Sequence, residues 1–520
     1  MSQTQYADDR RTTIQVDWTT WAKPLAWLAL LAAGLWNLDA PPLWWDEGWT
    51  LSVARNWVEL GHYGRLLNGE PAPPGLNAAF PVTAPIALSF RLFGVGIWQG
   101  RLVGVLFMVA ALVMAYSLAR RLYDRLVALG TLFVLLFMSM HPQLHPVIMG
   151  RQVLAELQMF FYLLAGYAGF LATMRSWWFM PLMLGSWGIA LITKAQPLPF
   201  WAISLLVPLL LMLLEHRWKV AGLLGTGLLG SFIISRSLLW LQQLLLQGHT
   251  LPTTPVHGLY DITALVLAPF NRMVALKMTL MFGLPTLAGL CYATWKYIKG
   301  RGQAAPPSDV DVVRLSLLAL AGSWFAWYLL LSVGVPRYLF PATFLGSIFV
   351  SALLRDMTGG FSLQSTIQRG GYALRHLYFD RQHANALLAI MLMAVTIPLT
   401  LLALHRYYIT YNDPSALQVA NFLNTRAETN SLIETYESEI HFLLDRSYHY
   451  PPDQIHVELN RRSLLGHNVV VDYDPLAADP DYLVVGTFAH GNHLYDPVLT
   501  PKTFRLLRTY GDYEIYERMR

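Results

Sequence analysis

Asp46 and Glu47 stand side by side in the segment Pro41-Pro-Leu-Trp-Trp-Asp-Glu-Gly-Trp49, immediately after the first long apolar run of the chain. Two neighbouring carboxylates are costly to hold at the mouth of an apolar structure, which marks them as candidates for chemistry. The duller reading is an interfacial cap on a helix. Further candidates are His62, Tyr63, Arg151, Glu156, Lys194 and the Arg337-Tyr338 pair. A carboxylate can act as base toward a hydroxyl, and Lys and Arg supply the partners that an anionic phosphate group requires. Ordinary alternatives exist for these too. Lys194 and Arg337 sit at helix ends, where long cationic side chains reach back to the interface, and Arg151 and Glu156 could pair with one another at a helix start. His141 and His145 have the i, i+4 spacing of a helical metal pair, but Pro142 and Pro146 break such a helix and disfavour a metal site.

The elements that must position these residues are membrane helices. Hydrophobic residues make up 55% of the 520-residue chain and charged residues only 13%, with 18 Trp and 25 Tyr. That balance argues against an ordinary soluble enzyme. Apolar runs recur from about residue 24 to about residue 404, and a span needs roughly 20 residues of low polarity. The first run lacks a small-residue cleavage site and reads as a retained helix. Basic clusters at Arg10-Arg11-Lys23, Arg120 to Arg125, Arg175, Arg217 to Lys219, Lys296 to Arg314 and Arg355 to Arg381 hold 17 of the 37 basic residues. Short positively charged loops stay on the cytoplasmic side. The clusters alternate with outer segments 41–100, 141–152, 193–197, 248–275, 333–337 and everything after about residue 406. This alternation predicts a polytopic α-helical membrane protein of about eleven transmembrane helices, N-terminus inside and C-terminus outside. Residues 84–97, short and interrupted by Arg91, read as an interfacial or re-entrant helix. The candidate residues all fall on the outer side of this map, where they could converge on one cavity. Basic residues follow topology and form no nucleic-acid-like stripe.

The last quarter differs. Positions 407–520 carry 16 acidic and 9 basic residues, against a chain total of +5. A charge asymmetry of that size predicts a separate domain, with a membrane domain over 1–406 and a soluble extracytoplasmic α/β domain over 407–520. Ser415 to Ala427 has helical periodicity, and Ser431 to Tyr436, His467 to Asp472 and Asp481 to Gly486 read as short strands. The only cysteine, Cys291, lies in a predicted span, which excludes a disulfide framework and a thiol-based metal cluster.

The order of several segments resembles the GT-C superfamily of membrane glycosyltransferases, most closely the protein O-mannosyltransferase and lipid A aminoarabinose transferase group. The matching segments are Asp46-Glu47, Leu92 to Leu102, Leu118 to Tyr123, Arg151 to Glu156, Thr193-Lys194 and Pro336 to Pro341. None is specific alone; their order and sidedness are. The resemblance implies sugar transfer, with inversion, from a polyprenyl-phosphate donor to a lipid, glycan or protein acceptor at the outer face of a plasma (inner) membrane. It also implies Asp46 as base, Glu47 as its support, and Lys194, Arg337 and Arg151 as partners of the phosphate. Glu156, His62, Tyr63 and Tyr338 complete the substrate-binding set. The family's second-loop acid is more often Asp, and here it is Glu156. No cofactor is implied; a divalent metal, as in the oligosaccharyltransferase branch, is not favoured because few oxygen ligands cluster. The competing readings are a flippase for an anionic lipid-linked substrate, against which the one-sided polar residues and the lack of two similar halves argue, and a glycan ligase of the same fold.

Overall fold

A computed structural model describes residues 18–73, 76, 78–246, 256–301, 308–410, 412–499 and 503–519. Arg10 and Arg11, positions 248–255 of the fourth outer segment and 302–307 of the fifth basic segment lie outside the described residues. Among those described, seven helices are long and apolar enough to cross a membrane, including Ile97–Leu122, Ala155–Thr173, Trp218–Leu245, Asp309–Leu331 and Pro336–Met357. Five shorter apolar helices accompany them, Phe80–Phe93 among them. The segment expected to be interfacial or re-entrant therefore forms a 14-residue helix, about 21 Å long at 1.5 Å per residue, too short to cross a hydrocarbon core upright.

The apolar helices pack through large aromatic side chains. Phe160 stacks on Phe344 at 4.6 Å between centroids, and Trp187, Trp201 and Trp324 are fully buried. Close packing needs small partners at the crossings: a Cβ on Gly166 would meet the Trp187 ring at 2.2 Å. Proline sets the breaks that matter. Pro197 and Pro199 withhold backbone donors, so Met180–Thr193 ends at an extended Lys194 before Leu198–Leu214 begins. Pro336 starts a short 3-10 turn carrying Arg337 ahead of Phe340–Met357. Both cations sit where helices are interrupted, which is tolerated at membrane depth only beside protein or a cavity.

The C-terminal region is an α/β unit built on a five-stranded sheet. Its strands are β1 (Leu432–Thr435), β2 (Ser447–His449), β3 (Tyr482–Val485), β4 (Phe504–Tyr510) and β5 (Tyr513–Arg518), in the spatial order β2-β1-β3-β5-β4. β1 pairs in parallel with β2 and β3, while β5 runs antiparallel to β3 and forms a hairpin with β4. The helix Ser415–Arg426 and two of the three expected strands occur as read. The third does not: His467 to Asp472 is irregular. Its valine run has strand propensity but no neighbouring strand, and Val470 is 85% exposed. β2, β4 and β5 were not anticipated, because short or charged strands carry little apolar alternation.

Candidate active site

The helix Trp45–Leu60 carries the acidic pair into the structure. It begins after Pro41-Pro42, its Glu47 carboxylate accepts the Trp44 backbone N–H at 3.2 Å, and it stops at Gly61, left-handed at φ 71°. Neighbouring residues on a helix point about 100° apart, so the two carboxylates enter different surroundings. Glu47 is 0% exposed and locked to a 0% exposed Arg101 by bonds of 2.7 and 2.8 Å. It also accepts the Val153 N–H. Arg101 further donates to the carbonyls of Leu38, Pro41 and Pro42. All five guanidinium donors are used, two on Glu47 and three on the approach to the helix.

Asp46 is open, its side chain 47% exposed, and Arg337 reaches it at 2.5 Å. Arg337 also donates to Glu156 through Nε at 2.7 Å, and Lys194 Nζ meets the same carboxylate at 2.7 Å. The four side chains form a chain of ion pairs, Asp46–Arg337–Glu156–Lys194. Glu156 is 3% exposed and forms its floor. A cavity of about 910 Å³ lies above, lined by Asp46, Lys194 and Arg337 together with His62 and Tyr63. The Tyr63 hydroxyl donates to the Ala78 carbonyl at 3.1 Å and accepts from the Thr83 hydroxyl at 2.7 Å.

Three of the residues read from sequence lie elsewhere: Glu47, expected to support Asp46, is instead sealed against Arg101, and Arg151 and Tyr338 are also outside the cavity. Arg151 donates to the carbonyls of Ala33, Gly34, Trp36 and Asn37, closing the C-terminal end of the Trp18–Leu35 helix. It therefore neither pairs with Glu156 nor lines the cavity. Tyr338 packs against Trp327 beside Arg337 and is not a wall of the cavity. His145 is likewise occupied, with Nδ1 accepting the Val147 N–H and Nε2 against the Leu136 carbonyl.

The cavity also contains residues that sequence reading passed over. Trp45, Trp49, Arg65, Gln242, Gln243 and, from the C-terminal region, His456 all line it. Trp45 and Trp49 stood in plain sight, i and i+4 within the acidic segment. The adjacent Gln242-Gln243 amides at the end of an apolar helix were a weak signal. His456 had none, since nothing local in Asp453–Leu465 distinguishes it. Burial holds its imidazole down at about 4. An Asn460 amide N–H on Nε2 at 3.0 Å leaves the neutral ring's Nδ1–H facing the Tyr436 hydroxyl at 2.7 Å.

Chemically, the arrangement presents one accessible carboxylate next to two cations in a partly enclosed space. The cluster's two acids and two bases balance, so an anionic ligand meets cations already held in place rather than free ones. No group of three or more potential His, Cys, Asp or Glu metal ligands occurs among the described residues.

No family model and no curated protein matches the chain. Solved structures do. The chain is similar to ArnT from Cupriavidus metallidurans bound to undecaprenyl phosphate, with a TM-score of 0.62 at 15% identity over 96% of this chain and 98% of that one. It is similar to the apo oligosaccharyltransferase from Archaeoglobus fulgidus, with a TM-score of 0.54 at 12% identity over 92% of this chain and 72% of that one. The same organism's AglB, in complex with an inhibitory peptide and a dolichol-phosphate, aligns with a TM-score of 0.52 at 12% identity, covering 97% of this chain and 75% of the neighbour. A likeness that runs the length of the chain at such low identity is one of architecture: the chain shares the fold of these solved structures.

Proposed function

We infer that the protein is an inverting glycosyltransferase that moves a sugar from a polyprenyl-phosphate carrier to an acceptor hydroxyl at the outer face of a plasma (inner) membrane. The observation that carries this reading is the single accessible carboxylate, Asp46, set beside Arg337 and Lys194 in one cavity. Asp46 takes the proton of the acceptor hydroxyl, whose oxygen forms a bond to the anomeric carbon from the face opposite the phosphate. The bond from that carbon to the phosphate oxygen breaks, and the electron pair leaves with the polyprenyl phosphate. Phosphate is a good leaving group and needs no acid; it needs positive charge, which Lys194 and Arg337 supply. Glu156 holds those two cations in place. The fold neighbours support a lipid carrier, since one binds undecaprenyl phosphate and another a dolichol-phosphate. Charge alternation along the chain supports about eleven crossings, a cytoplasmic N-terminus and an extracytoplasmic C-terminal domain beginning near residue 407.

The test is transfer of radiolabelled sugar from a panel of polyprenyl-phosphate donors by purified protein in lipid nanodiscs. Wild-type protein is expected to form a covalent product whose rate of formation Asp46→Asn lowers by about 10²–10⁴-fold. A protein that moves the donor across vesicles while making no product with any sugar would be a flippase instead.

A further inference from the structure

Asp46 is flanked by two residues that the C-terminal region grips. Its predecessor Trp45 donates its indole N–H to the Tyr436 carbonyl at 2.9 Å, in a buried setting. The Trp45 carbonyl accepts from the Ser438 hydroxyl. The Trp45 ring stacks on His456 with centroids 4.5 Å apart and planes 13° from parallel. Two residues beyond Asp46, Gly48 brings the helix backbone onto the backbone of the next segment: a Cβ there would lie 2.2 Å from Glu439 Cα. The His456 contact comes from the helix Asp453–Leu465, and the Tyr436, Ser438 and Glu439 contacts from the carboxyl end of β1 and the short helix Ser438–Leu443 that follows it. In open sheets with parallel strands, that edge is where ligands are usually bound. Here it is filled by the helix that carries the proposed base.

We propose that the C-terminal region is part of the catalytic machinery as a positioning element, with His456, Ser438 and the Tyr436 backbone setting the place of Asp46 through Trp45. This rests on the reading of Asp46 as base. Arg337 fixes one carboxylate oxygen from the membrane side and Arg101 anchors the neighbouring Glu47, while Trp45 and Gly48 tie the same helix turn to the C-terminal region. Misplacing a reacting group by ~1 Å can cost on the order of a hundredfold in rate, so the contacts on Trp45 have leverage over kcat. The grip on the lipid phosphate is assigned to Lys194 and Arg337, which Glu156 anchors through bonds that do not involve Trp45.

Two measurements test this. Cys291 is the chain's only cysteine, so Cys291→Ser with Asp46→Cys places a single nitroxide spin label at position 46. His456→Ala and Trp45→Phe are expected to add a mobile component to its spectrum; His456→Phe, which keeps a flat ring on Trp45, should not. In active protein, His456→Ala and Trp45→Phe should lower kcat about tenfold while KM for the donor and affinity for undecaprenyl phosphate stay within about twofold. His456→Phe should restore kcat. An unchanged spectrum in the first two variants, a loss that His456→Phe fails to restore, or a parallel loss of undecaprenyl phosphate affinity overturns the proposal. If wild-type protein transfers no sugar, the glycosyltransferase reading fails, and the label still decides whether the C-terminal region orders position 46.

Discussion

The two regions that meet at Asp46 and Glu47 use the same chemistry to opposite ends. Behind Glu47 an arginine and a carboxylate close on each other completely, at 0% exposure on both sides, and spend the remaining donors on the Leu38–Pro42 turn. In front of Asp46 an arginine is shared between two acids, one of which stays 47% exposed to a cavity. The first region is a fastener. Buried pairs of that kind are seldom net stabilising relative to apolar packing, but removing one partner leaves a stranded charge and is severe. The second region keeps an acid within reach of a ligand, and its cations already ordered. The difference teaches that adjacency of two carboxylates in sequence says nothing about which is available for chemistry; the number of donors each one meets does.

Substitutions can break or sharpen that contrast. Asp46→Asn should cost about 10²–10⁴-fold in transfer, the usual worth of a general base, with thermal stability near wild type; equal activity in the two proteins would remove Asp46 from the mechanism. Arg101→Ala should act on the other side of the contrast, destabilising the protein by about 3–5 kcal/mol through uncompensated Glu47, read as a fall in melting temperature or in the yield of folded protein. Lys194→Met should lower kcat by about 10²–10³-fold, the range found when one stabilising group is removed from a developing charge, with little change in melting temperature.

A smaller effect tests the interface between the C-terminal region and the helix of the acid pair. Burial raises the Glu439 carboxyl to about 7 from its ordinary 4.5. Burial and neighbouring Glu439 push Glu437 up as well. A carboxyl raised on folding binds more protons in the native than in the unfolded state. Its stability contribution is therefore full below about 4.5 and is lost as pH rises through about 7. Thermal stability should fall between those limits, and Glu439→Gln should flatten the slope; an identical slope in the variant would exclude this carboxyl as its origin.

The presence of long apolar helices was legible because the length of an apolar run is a local property. The joining of Lys194 and Arg337 to the acid was anticipated from their placement at helix interruptions on one side. Their partner was not: Glu156 lies closer in sequence to Arg151, yet it serves Lys194 and Arg337 while Arg151 closes a helix end. Sequence distance misled there because helix packing brought positions 156 and 337 together across 181 residues. The valines at 469–471 misled for the converse reason, since strand propensity needs a strand to pair with.

By itself the sequence determined that this chain is rich in long apolar helices and that its last quarter has a different charge and character. These follow from composition and period, which each segment carries alone. Only the tertiary structure decided that Asp46 faces a cavity while Glu47 is sealed against Arg101, and that His456, more than 400 positions away, forms a wall of that cavity. Availability to a ligand is set by how many groups surround a side chain, and those groups arrive from distant parts of the chain that no local pattern can identify.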